Sequence, residues 1–213
     1  MTRLLVDVCP MHKIMCGFKR IKPDSFTLVE LLVVISIIGL LAGLATPAIS
    51  KGLEKGKQTV DLSNGRQLSL LLFAYANDDS VGGGTFPTNG TTSTQIFQDL
   101  INNNFLTSVK VLGGNGVPPP PSTNNIVAAN VYWAYTKGLT LTDGNVPLLS
   151  TKGTLTDVTT LNNISPSSTS PWKNKGFVVV TADNSATWYT FTNNVVTPKW
   201  MNCTNQGVIV LQP

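Results

Sequence analysis

The sequence predicts an α+β fold, a long N-terminal helix packed on a small antiparallel β-sheet, and three observations carry that expectation. Apolar residues fill almost every position from Phe26 to Thr46, about 20 residues, the length at which a helix crosses the hydrocarbon core of a bilayer. Leu68, Leu71, Leu72 and Tyr75 then follow the i, i+3, i+4, i+7 spacing of a helix with one apolar face. The C-terminal third alternates short runs rich in Val, Trp and Tyr with Asx turns, the pattern of paired strands.

In chain order the sequence divides into four segments. Residues 1–25 are a leader in which Arg3, Lys13, Lys19, Arg20 and Lys22 outweigh Asp7 and Asp24. Its cations from Lys13 to Lys22 directly precede the apolar run, so the positive-inside rule puts the N-terminus in the cytoplasm and the C-terminal domain outside. Met11 and Met15 are alternative starts. Residues 26–47 form the membrane helix. Gly39, Gly43 and Pro47 loosen it, because glycine and proline both disfavour the helix interior. Gly39 and Gly43 also have the small-xxx-small spacing that admits close approach of another helix, or are ordinary glycines of a span.

Residues 48–79 continue the helix in amphipathic form. Leu53, Val60, Leu68, Leu71, Leu72 and Tyr75 are its apolar residues, and Lys51, Glu54, Lys55, Lys57, Asp61 and Arg66 fall on other faces. Gly52 and Gly56 are further weak points, and Asn77 to Ser80 followed by Gly82 to Gly84 end the helix. Residues 80–213 form the globular, β-rich domain. It begins with a short helix from Thr92 to Asn103, opened by a capping box of Thr92 and Gln95 and burying Ile96, Phe97, Leu100 and Ile101. Pro118 to Pro121 offer no backbone donors and form extended loop. Val127 to Thr136 reads as a strand, and Ser165 to Pro171 as a loop. An antiparallel meander follows at Gly176–Thr181, Ala186–Thr192, Val195–Trp200 and Val208–Leu211, with turns at Asp183–Ser185 and Asn193–Asn194.

Charge and residue usage exclude several functions. The chain carries a net charge of +4, but most of it belongs to the leader, and the remainder is close to neutral. The basicity is therefore a topology signal, and no nucleic-acid partner is expected, because phosphate binding needs clustered Lys and Arg. Cys9 and Cys16 lie in the leader and only Cys203 follows the span, so a chain without its leader forms no internal disulfide. The single histidine, His12, is also in the leader. The rest of the chain has no imidazole base or His ligand, and no phosphate or dinucleotide loop. It is read as no enzyme, with no cofactor and no metal. Asp78 and Asp79 beside Asn77, and Asp183 beside Asn184, are read as solvated turns in preference to calcium ligands.

The feature that points to function is Glu30. A carboxylate inside a span costs roughly 2.5–3.5 kcal/mol on insertion scales and calls for a partner or a purpose. It stands in Ser25-Phe26-Thr27-Leu28-Val29-Glu30-Leu31, which resembles the processing site of type IV prepilins and type II secretion pseudopilins. The resemblance covers Ser25 to Pro47, including Gly39 and Pro47. Ala74 to Asp79 and Thr85 to Thr88 also resemble, more loosely, the helix exit of pseudopilins, and Val178 to Phe191 their terminal hairpin. One departure is Ser25, where the family usually has glycine before the cut.

The resemblance implies cleavage between Ser25 and Phe26 by a prepilin peptidase, with methylation of the new Phe26 amine. Glu30 would then neutralise the Phe26 amine of a neighbouring subunit as helices stack in a filament. It implies a bacterial inner-membrane precursor with a single pass and a periplasmic domain, whose partners are membrane lipid, other pilin-like subunits and an inner-membrane assembly platform. A type II secretion pseudopilin is the first expectation. A type IV pilus subunit for adhesion or DNA uptake, and a membrane-anchored binding module that never polymerises, are the alternatives.

Overall fold

The computed structural model describes residues 26–155, 164, 167–191 and 208–213. Ser25, the rest of the leader, the expected strand at Val195–Trp200, the turn at Asn193–Asn194 and Cys203 lie outside the described residues. The fold is α+β, with one long N-terminal helix and a five-stranded antiparallel sheet. Two compact units divide the chain, one through Pro47 and one from Ala48 to Pro213.

Helix α1 spans Leu28–Asn77 and contains Pro47. Its first unit is apolar and exposed throughout: Leu28, Ile38 and Leu44 leave more than half of their surface uncovered. It is long and apolar enough to cross a membrane. Its polar side chains are satisfied locally. Ser36 Oγ donates to the Leu32 carbonyl at 2.7 Å and Thr46 Oγ1 to the Ala42 carbonyl at 2.8 Å, so neither hydroxyl needs water. Pro47 has no N–H to give the Gly43 carbonyl, the helical partner four residues earlier.

In the second unit, α1 covers the sheet through a stripe with alternating three- and four-residue steps: Gln58, Asp61, Gly65, Leu68, Leu72 and Tyr75 are all buried. Leu71, expected on this face, is only half-buried, whereas Leu53 and Val60 are exposed. The closest approach is at Gly65. A Cβ there would lie 2.7 Å from Val180 Cγ2 and 2.8 Å from Trp133 Cη2, so only glycine lets the helix sit this near the sheet. Beyond Asn77 the Asp78 carbonyl accepts the amides of Val81, Gly82 and Gly83, and the Ala76 carbonyl accepts that of Gly84, which closes the helix end.

Helix α2 (Ser93–Asn102) buries Ile96, Phe97 and Leu100 as expected. Its cap is shifted from the expected box. Thr92 Oγ1 accepts the Gln95 amide at 3.3 Å, but Gln95 Oε1 reaches back to the amide of Thr91, not Thr92, at 2.8 Å. Strands β1 (Trp133–Lys137), β2 (Pro147–Thr151), β3 (Gly176–Thr181), β4 (Ala186–Thr190) and β5 (Ile209–Leu211) stand in the order β4-β3-β2-β1-β5, every neighbouring pair antiparallel.

Three sequence expectations need correction here. The strand expected from Val127 begins only at Trp133, because Asn130 Oδ1 takes the Val127 amide at 2.9 Å and folds residues 128–130 into a 3-10 turn. Pro147–Thr151, a strand wholly buried at the centre of the sheet, was not anticipated; a short, continuous apolar run carries no alternation to announce it. The meander therefore runs β1-β2-β3-β4, and β5 returns to pair with β1 at the opposite edge. The β3–β4 turn agrees with expectation: Asn184 has φ 64°, and Asp183 Oδ1 accepts the Ser185 amide at 3.0 Å.

Candidate functional site

The N-terminus of α1 places Glu30 against Thr27. The Glu30 amide donates to Thr27 Oγ1 at 3.2 Å, while Glu30 Oε2 accepts both the Thr27 amide at 2.9 Å and the Thr27 hydroxyl at 2.8 Å. This reciprocal pair is a capping box, which the sequence reading found at Thr92 but not here. The signal was present as Thr27-Leu-Val-Glu30 at the start of an apolar run. A carboxylate in the first turn also faces the positive end of the helix dipole. The acid is thus held by its own helix through one oxygen, and Oε1 has no hydrogen-bond partner among the described residues.

Phe26 precedes the cap and is 75% exposed. A Cβ at Gly39 or Gly43 would meet no described atom within 4 Å, so neither is required by packing among the described residues. Both leave a notch on a bare apolar helix, open to whatever packs there.

A second cluster lies where α1 meets the sheet, around a residue that the sequence reading placed on an outer face. Asp61 is 1% exposed. Its Oδ2 accepts the Tyr132 hydroxyl at 2.7 Å and Trp172 Nε1 at 2.8 Å, and its Oδ1 accepts the Asn115 amide at 3.1 Å. Tyr132 also meets Thr151 Oγ1 at 3.2 Å, and Thr151 Oγ1 accepts the Val178 amide at 3.0 Å. One carboxylate therefore links α1, the 113–117 turn, the segment after the 3-10 turn and the loop before β3. Burial pushes the Asp61 carboxyl above the usual aspartate range, although all three donors act to lower it. Burial and the neighbouring Asp61 charge push the Tyr132 phenol well up. Asp61 lies three and then four residues back from Leu68 through Gly65, yet an acid at that position carries no local sign of burial until its partners arrive.

Beside Asp61 an open groove of about 720 Å³ lies between α1 and the turn at 113–119. Leu53 and Val60 form its helix side, and Val117 and Pro118 face them. Lys57 and Lys110 also line it, both exposed.

The remaining candidates are occupied by turns. Asp78 Oδ1 accepts the Ser80 amide at 2.8 Å and the Ser80 hydroxyl. Asp183 Oδ1 serves the β3–β4 turn through Ser185 and Thr181. Among the described residues no group of three or more His, Cys, Asp or Glu side chains gathers as a metal site would require. No protein-family model, curated protein or solved structure matches the chain.

Proposed function

We propose that the chain is a pilin-like structural subunit, cut before Phe26 by a prepilin peptidase, methylated there and assembled into a type II secretion pseudopilus or a related filament. The observation that carries this reading is Glu30. It is a carboxylate in the first turn of an apolar helix that is bare on every side, directly after the Ser25–Phe26 junction, with one oxygen still open. In a low-dielectric helix bundle an ion pair with a neighbour's Phe26 amine is far stronger than in water. A subunit without its partner keeps an unneutralised charge, so the pair selects register as well as stabilising the stack.

The bare apolar surface then has two successive solvents, lipid before assembly and neighbouring helices after it. Gly39 and Gly43 provide notches for close packing, and Pro47 provides a place where the helix yields during extraction. The subunit adds no chemistry of its own; a separate ATPase supplies the energy for assembly.

Mass spectrometry of the N-terminal peptide from native membranes tests the processing step. A peptide beginning at methylated Phe26 is expected, and a chain retaining Lys19 to Ser25 in a strain with active prepilin peptidase would identify a plain anchor instead. Glu30→Ala is expected to abolish or cripple filament formation while leaving the chain in the membrane; normal filaments from that variant would sink the ion-pair mechanism.

A further inference from the structure

The groove beside Asp61 and the turn at the end of α1 are complementary surfaces on one chain. We infer that they bind each other between copies, the Asp79–Val81 turn of one subunit seating in the groove of the next. This inference rests on the filament reading above and specifies the contact between subunits outside the membrane segment.

The groove is apolar along both walls and is also lined by Lys57 and Lys110. Leu53 and Val60 are 62% and 56% exposed, large apolar side chains on a helix face that no described residue covers. Lys57 and Lys110 make no hydrogen bond or ion pair with a described residue, whereas Lys175 pairs with Glu54 at 2.7 Å nearby. The occupant must therefore bring a carboxylate next to an apolar group.

The turn after α1 has both. Glu30, Glu54, Asp61, Asp78, Asp99, Asp143 and Asp183 each accept a hydrogen bond or ion pair within the chain. Asp79 is the one Asp or Glu side chain among the described residues that does not, and it is exposed. Val81, two residues on, is 38% exposed. The turn is held in shape by the amides that converge on the Asp78 carbonyl, so Asp79 and Val81 are presented from a rigid element at little ordering cost.

With helices parallel, as in the proposed filament, a contact between these two different patches is heterologous, the kind that continues from copy to copy and builds an open helical polymer where the rotation does not close. Their spacing sets a stagger. At 1.5 Å per residue, Lys57 lies about 30 Å before the end of α1. The copy donating the turn is therefore displaced by about 30 Å towards the N-terminal end of the accepting helix. A closed two-fold dimer would need the two helices antiparallel, which chains inserted in one direction across a membrane do not offer.

The test is zero-length carbodiimide coupling of filaments assembled from a mixture of isotopically light and heavy full-length chains, followed by peptide mass spectrometry. Expected is a peptide joining Asp79 to Lys57 or Lys110 with one light and one heavy half. In parallel, Asp79→Lys is expected to lower filament yield by about tenfold or more, since it sets like charges against each other. Lys57→Asp with Lys110→Asp in the same chain should restore it. Normal filaments from Asp79→Lys with no mixed-isotope Asp79 peptide overturn this contact and leave the filament reading intact. Coupling of Lys57 or Lys110 to a different protein's carboxylate overturns the second copy as occupant. A native chain that makes no filament at all overturns both readings.

Discussion

Glu30 serves two physical ends that a single substitution can separate. As an acceptor it caps α1 through Thr27, a role that glutamine also performs in a capping box. As a charge it would neutralise an amine in the filament proposed above, which glutamine cannot do. Glu30→Gln is therefore expected to keep the helix start and still fail to assemble, as seen by circular dichroism of the detergent-extracted chain beside electron microscopy of filaments. Normal filaments from Glu30→Gln would mean that capping, and not charge, is what the position supplies. Asp61 makes the other residue-scale prediction. Its raised carboxyl means that the folded chain holds this proton to higher pH than the unfolded chain does. From about pH 4 upward the unfolded state ionises first, so this group's contribution to stability falls as pH rises, until Asp61 ionises in the folded state too. Asp61→Asn removes that slope. The stability difference, native minus variant, should shrink between pH 4 and pH 7 in paired thermal melts. Asp61→Ala, which strips the Asn115 amide of its acceptor and leaves Trp172 Nε1 only the Tyr132 hydroxyl, is expected to cost about 1–3 kcal/mol.

Helix α1 is the element on which the fold depends, and its two stretches are held by different means. Up to Pro47 it relies on backbone hydrogen bonds and on hydroxyls turned back to their own carbonyls. From Gln58 to Tyr75 it relies on one buried stripe. Gly65 marks the tightest point of that stripe, with Val180 and Trp133 against it. Gly65→Ala gains helix propensity of about 1 kcal/mol, but the added methyl meets two rigid neighbours below 3 Å. Overpacking of this kind costs about 1–3 kcal/mol, so a net fall in melting temperature is expected; an unchanged or higher one would show that the sheet yields. Gly52 and Gly56, with nothing near a built Cβ, should show the opposite sign on substitution by alanine. The same contrast shows what local pattern can reveal. The apolar spacing at Leu68, Leu72 and Tyr75 announced the helix face. It could not distinguish Asp61, buried with three donors, from Glu54, half-buried and bonded to Lys175, because each is simply an acid on a helix until the partners arrive.

At the scale of the whole molecule the sheet is closed by the chain's last described strand. β5 covers the free edge of β1, and Gln212 just beyond it ties two distant segments through three hydrogen bonds. Its backbone carbonyl accepts the Ser93 amide at the start of α2 at 3.0 Å, its Oε1 accepts the Gly153 amide at 2.9 Å, and its Nε2 donates to the Leu155 carbonyl at 2.7 Å. Gln212→Ala should cost about 1–3 kcal/mol by leaving the last two groups unpaired, and removal of residues 208–213 should bare the β1 edge and promote aggregation, both measurable by thermal melts and light scattering of the extracted chain. What the sequence by itself determined was local in origin: the apolar span, the amphipathic stripe, α2 with its apolar side, the Asn184 turn and the motif around Glu30. Periodicity, capping and turn chemistry act within a few residues and can be read without a fold. What only the tertiary structure decided was the strand order with β5 against β1, the central β2, the burial of Asp61, and the groove that leaves Leu53 and Val60 uncovered. Each of these depends on which distant segment arrives at a surface, and the free energy of such contacts is set between residues well separated in the chain, beyond the reach of any local pattern.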